Sequence, residues 1–127
     1  MKKTSYVGLS VLAIAALVIL GVQGALSNSF ADEMTLTGTI VDSHCAAANA
    51  GNLESFVKTH SKECALMPDC EKSGYNIYSG GKLYKFDEAD SKKVATFLKK
   101  GDSKLDVTVK GDVKGGEIKL ISIENQK

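Results

Sequence analysis

Met34-Thr35-Leu36-Thr37-Gly38-Thr39-Ile40-Val41-Asp42 alternates with a period of two. Leu36 and Ile40 project to one side, Thr35, Thr37, Thr39 and Val41 to the other, as in a β-strand with one covered face. Gly38 at the midpoint predicts a bulge or a sharp bend. A strand that bends in its middle suits a small barrel, because its two halves can serve different sides.

Downstream, residues 43–51 are small and polar and read as a loop. Asn52 is a candidate helix cap, followed by Leu53, Phe56, Val57, His60, Cys64 and Met67. At 100° per residue these six fall on a stripe about 100° wide, which predicts one amphipathic helix. Pro68 disfavours helix at Met67 and should end it; Asp69 to Gly74 reads as a second loop or short turn. Tyr75-Asn76-Ile77-Tyr78-Ser79 and Lys82-Leu83-Tyr84-Lys85-Phe86 are strands joined by Gly80-Gly81, a two-residue hairpin signal. Asp87 can cap a helix carrying Val94, Phe97 and Leu98, with Asp90 at the capping-box position and Gly101 just past the end. Strands over 105–110 and 117–123 follow, separated by Lys114-Gly115-Gly116. Five strands with a helix between the third and fourth is the order of an OB-like, partly open barrel, here with a Cys/His-containing helical insertion between strands one and two. A generic α+β meander is the other fold this order allows.

Residues 1–31 stand apart. Lys2 and Lys3 precede Tyr6–Val22, a stretch of 17 residues without charge, and Ser29-Phe30-Ala31 fits a small-x-small cleavage site. This pattern predicts an export signal cut after Ala31. The alternative is an uncleaved anchor in the inner membrane, although 17 helical residues reach only about 26 Å. Either way residues 32–127 form one domain on the outer side, periplasmic or extracellular. The whole chain has 127 residues, 16 Lys, no Arg and 15 acidic residues, a net charge of +1. Without residues 1–31 and their two lysines, 96 residues remain with a charge of −1. That balance disfavours nucleic acid as a partner, and leaves the membrane as a partner only through an uncleaved N-terminal segment. So small a domain has a modest core and gains from a covalent or metal staple.

All three Cys and both His lie between His44 and Cys70. Three readings compete. The first is a structural disulfide among Cys45, Cys64 and Cys70, expected in an oxidising compartment and contributing about 2–3.5 kcal/mol. Geometry and loop entropy lean toward Cys45 bridging to Cys64 or Cys70; a Cys64–Cys70 bridge needs the helix break that Pro68 offers. The second is a metal site. His60, Cys64 and Met67 stack on one helical face, and Cys70, Cys45 or His44 can complete the set. Thiolate, thioether and imidazole suit copper(I), while Cys and His alone suit zinc. The third is thiol chemistry, with Cys45 beside His44 or Cys64 one turn from His60. No C-x-x-C or C-x-x-C-H motif supports redox or haem chemistry. Asp42-Ser43-His44-Cys45 is contiguous, and catalytic triads are assembled in space rather than in sequence. Tyr75, Tyr78, Tyr84 and Phe86 are read as residues of which alternate members fill the barrel, rather than as a stacking platform.

The run from Gly38 to Cys45, then His60-x3-Cys64, Cys70 and Ser73-Gly74-Tyr75, resembles a group of small exported bacterial proteins with an OB-like domain. The resemblance covers most of residues 35–124 and implies that fold, with Cys45, His60, Cys64 and Cys70 as the residues of interest. Many members have a shorter gap between the last two cysteines. The resemblance implies no reaction. The expectation is therefore an exported, non-enzymatic OB-like module, with no catalytic residue assigned, whose insertion is stapled by a disulfide and which binds a small ligand or a protein partner at that face. The alternatives are a copper- or zinc-binding protein using His60, Cys64, Met67, Cys70 and Cys45, and a thiol-redox protein.

Overall fold

The computed structural model describes residues 32–127; the expected export segment and its cleavage site lie outside the described residues. Among these, no helix is long and apolar enough to cross a membrane. Strand β1 runs Asp32–Asp42, β2 Tyr75–Ser79, β3 Lys82–Lys85, β4 Asp106–Lys114 and β5 Glu117–Asn125. They close in the order β1-β2-β3-β5-β4 and back to β1. All neighbours are antiparallel except β3 and β5, joined by the single parallel pair Lys85–Glu117. This is a five-stranded mixed sheet of barrel form within an α+β domain.

β1 is shared between two partners. Residues 32–39 pair with β4 and 39–42 with β2. The handover falls beside Gly38, where a Cβ would overlap the Tyr78 carbonyl oxygen. Glycine is needed there for the close approach of two backbones. Ile40, Tyr75, Ile77, Phe86, Val107 and Val109 fill the interior, all 0–1% exposed. Tyr75 and Phe86 are thus core residues, while Tyr78 and Tyr84 are half-buried.

Between β3 and β4 lies an α-helix, Glu88–Leu98, which lays Val94, Ala95 and Leu98 on the same core. Asp87 caps it, accepting from the Asp90 N–H. Asp90 does not complete a capping box. Its fully buried carboxylate accepts instead from the Leu120 N–H at 2.8 Å and from Lys93 Nζ at 2.8 Å, which pins the helix to β5.

The β1–β2 connection differs most from expectation. Residues 43–51 begin as helix α1, Ser43–Ala48, because Asp42 caps it; a 3-10 turn over Ala50–Asn52 follows. The single helix expected over 53–67 is broken into α2, Leu53–Val57, and α3, Lys62–Ala65; α4, Pro68–Lys72, occupies the expected loop. The causes are local. Thr59 Oγ1 donates to the Phe56 carbonyl, and Ser61 Oγ accepts from the Cys64 N–H. Both side chains compete with continued helix, and Ser61 starts a new one. Pro68 opens α4 from its first turn, where its missing N–H is harmless. The insertion builds a small core of its own, Val41, Ala46 and Val57, against the outside of the barrel. The remaining helix, Glu88–Leu98, is α5.

Candidate metal centre

The helix starts in the insertion bring the reactive side chains together. Asp42 ends β1, and its Oδ1 accepts from the Cys45 N–H at 2.8 Å. That bond fixes Cys45 in the first turn of α1. Cys64 lies in α3, which is tied to the barrel by the Tyr75 hydroxyl donating to the Ala65 carbonyl at 2.7 Å. Cys70 lies in α4. The Ser73 hydroxyl after it donates to the Cys70 carbonyl and accepts from the His44 N–H, linking α4 to α1. His60 sits on the link between α2 and α3, its ring tilted 36° to that of Phe56 with centroids 4.9 Å apart.

Two overlapping triads result. The sulfurs of Cys45, Cys64 and Cys70 all lie within 4.8 Å of one another. A carboxylate oxygen of Asp42, the Cys45 sulfur and a ring nitrogen of His60 are equally close. Cys45 belongs to both. All three cysteines are free thiols, Cys70 buried and the other two half-buried. These residues form groups able to hold a metal ion.

The electrostatics are unusual. The side chains of Asp42 and His60 are 0% and 1% exposed, and Asp42 Oδ2 faces His60 Nε2 at 3.2 Å. The two atoms are not aligned as a hydrogen bond, and neither has another hydrogen-bond partner among the described residues. The short separation is therefore a close approach of two polar atoms, not a formed bond. Burial pushes the Cys45 thiol up to about 12, with the Asp42 charge adding to it. Burial also raises Cys70, again with help from Asp42. Burial and then the charge of Glu71 raise the Tyr75 phenol, keeping it a donor to Ala65. Without a cation Cys45 is a protonated thiol at neutral pH, the opposite of an activated nucleophile. A cation reverses that balance, because a coordinating thiol gives up its proton.

Cys45, His60, Cys64 and Cys70 are thus brought together. Met67 is 55% exposed at the start of α4. His44 is exposed and engages the site only through its backbone. The residue missed in the sequence is Asp42. The available signal was Asp42-x-x-Cys45, the spacing of an N-cap and the N–H that it receives. A separate cleft of about 890 Å³, lined by Glu71, Lys85, Ser91, Thr96, Lys99 and Glu117 among others, contains none of these residues. Its charges are mixed, and Glu71 and Lys99 pair across it at 2.6 Å.

No family model, curated protein or solved structure matches the chain.

Proposed function

We propose that this protein is an exported, OB-like binding module whose β1–β2 insertion holds a thiophilic metal ion, copper(I) or zinc. The observation that carries this reading is the buried, unpartnered pair of Asp42 Oδ2 and His60 Nε2 beside three converging thiols. Buried polar atoms without a protein partner are rare in folded proteins, and a bound ion or a buried water is among their few explanations. Thiolate, imidazole and carboxylate are all zinc ligands, and clustered thiolates suit copper(I). The sheet order, with α5 between β3 and β4, supports the OB-like assignment. The raised thiols support a binding role over a catalytic one. The apolar stretch at Tyr6–Val22 with Lys2 and Lys3 before it supports export.

The test is elemental analysis with thiol counting on the full chain, purified and then reduced. Stoichiometric uptake of zinc or copper(I), lost on Cys45→Ser, is expected. A reduced chain that takes up neither metal overturns the proposal.

The mutual closeness of the three sulfurs favours a second reading, a disulfide between two of them that staples the insertion. Intact mass separates the two readings. A chain from the periplasm that is two hydrogens lighter and binds no metal supports the staple alone.

A further inference from the structure

Resting on the metal reading above, we propose a division of labour among the three cysteines. Asp42, Cys45 and His60 hold a divalent ion of zinc type, while Cys64 and Cys70 form a dithiol that closes to a disulfide without evicting it. This assigns a role to every Cys of the exported domain, whose odd count otherwise leaves one thiol over.

Charge selects the ligands. A carboxylate, one thiolate and a neutral imidazole carry −2 together, which a divalent ion cancels. The side chains of both Asp42 and His60 are almost fully buried, so neutrality matters there. The same ion on three thiolates would leave a net negative group beside the buried Asp42 carboxylate. Binding at the mixed triad also uses the two atoms that lack partners, Asp42 Oδ2 and His60 Nε2. Asp42 Oδ1 meanwhile keeps its bond to the Cys45 N–H. Three protein ligands leave a fourth position open to water.

Cys64 and Cys70 are suited to pairing with each other. Their sulfurs lie within 4.8 Å, as does each of them to the Cys45 sulfur; with Cys45 committed to the ion, Cys64 and Cys70 are the two thiols left to pair. They occupy consecutive short helices, α3 ending at Ala65 and α4 beginning at Pro68. On one continuous helix the two would point about 240° apart; the break removes that obstacle. Oxidation by an external disulfide is balanced. One S–S bond forms between Cys64 Sγ and Cys70 Sγ, the external S–S bond breaks, and its two sulfurs leave as thiols carrying the two electrons and two protons. Cys45 takes no part.

The full chain, metal-free, is treated with oxidised glutathione and then titrated with zinc and with cobalt(II). Trypsin releases residues 63–72, flanked by Lys62 and Lys72, with both Cys64 and Cys70 inside. This peptide should be two hydrogens lighter, and Cys45 should remain alkylatable once metal is removed. The oxidised chain should bind one equivalent of zinc within threefold of the reduced affinity. Its cobalt(II) charge-transfer band should have the intensity of one thiolate. His60→Ala should weaken zinc at least thirtyfold, and the double variant Cys64→Ser, Cys70→Ser less than threefold. Loss of zinc on oxidation, a disulfide to Cys45, or a three-thiolate cobalt spectrum overturns this assignment while leaving the metal reading standing. A reduced chain that binds no metal sinks both. The oxidation, peptide and cobalt measurements use the unaltered chain, so they stand even if a variant misfolds.

Discussion

Asp42→Asn separates the two tasks of one side chain. Oδ1 of Asp42 caps α1, and Oδ2 is buried beside His60 without a partner. Asn caps a helix about as well as Asp, so α1 should be undisturbed. The buried negative charge disappears. An unpaired buried polar group costs about 1–3 kcal/mol and a charged one more, so exchanging the carboxylate for a neutral amide should make the reduced, metal-free variant more stable by about 1 kcal/mol. For a domain of this size that raises Tm by roughly 4–8 °C. Zinc should reverse the ranking. At a zinc concentration 100 times Kd the parent gains about 2.7 kcal/mol. Losing a group that only orients a metal ligand weakens binding about 10–100-fold, and losing a ligand should cost at least as much. At the same zinc concentration the variant should then gain only about 0.4–1.4 kcal/mol. The assay is urea unfolding under reducing conditions, with chelator and with zinc, for both chains. A variant that is less stable without zinc and keeps the full zinc increment refutes the reasoning. It would mean that Asp42 already has its partner in the folded protein.

Asp90→Ala should lower stability by about 2–3 kcal/mol, because the buried Leu120 N–H loses a charged acceptor; an unchanged urea midpoint would contradict this. Gly38→Ala should cost about 1–3 kcal/mol by forcing β1 away from the Tyr78 carbonyl, whereas Gly51→Ala, with open space around it, should stay within about 0.5 kcal/mol in the same assay. Asp87 lies below its ordinary value of 3.8, first because it accepts from the Asp90 N–H and then because of Lys119. A lowered carboxyl stabilises the fold above its unfolded value and loses that contribution as pH falls from there through the folded value. The stability difference between the parent and Asp87→Asn, read from urea midpoints between pH 2 and 6, should therefore shrink below about pH 4; a difference that widens on acidification is the opposite sign.

The strands were legible because alternation is a local pattern. In β2, Tyr75 and Ile77 are buried, and the Gly80-Gly81 turn has both residues at positive φ, 57° and 81°. β4 and β5 run farther than their apolar patterns, to Lys114 and Asn125, because pairing with each other continues where burial fades. The insertion was legible as composition but not as shape. A helical stripe from Leu53 to Met67 is real on a wheel, but a wheel does not weigh what Thr59 and Ser61 do to the backbone. Once the helix breaks, His60 and Cys64 no longer share a face by periodicity. The cysteines are gathered by three separate ties: the Asp42 cap on Cys45, the Tyr75 hydroxyl on α3 with Cys64, and Ser73 joining α4 with Cys70 to α1. Of these, only the cap has a signature within four residues.

Asp42 was set aside in the sequence because adjacent residues seldom form a triad. The rule holds for side chains that must all reach one point from one stretch of backbone. It fails here because His60 comes from another element, and the cap turns Cys45 back over Asp42. Whole domains are stable by only about 0.05–0.15 kcal/mol per residue. For the 96 residues after Ala31 that is roughly 5–14 kcal/mol, so an unpartnered buried carboxylate oxygen and imidazole nitrogen take a sizeable share. A neutral residue at position 42 with an equivalent cap would remove the charge without giving up the fold. The helix cap therefore explains why position 42 is Asp or Asn, and only the second oxygen explains why it is Asp. A charge kept where the fold needs none is the strongest physical reason to look for a cation between Asp42, Cys45 and His60.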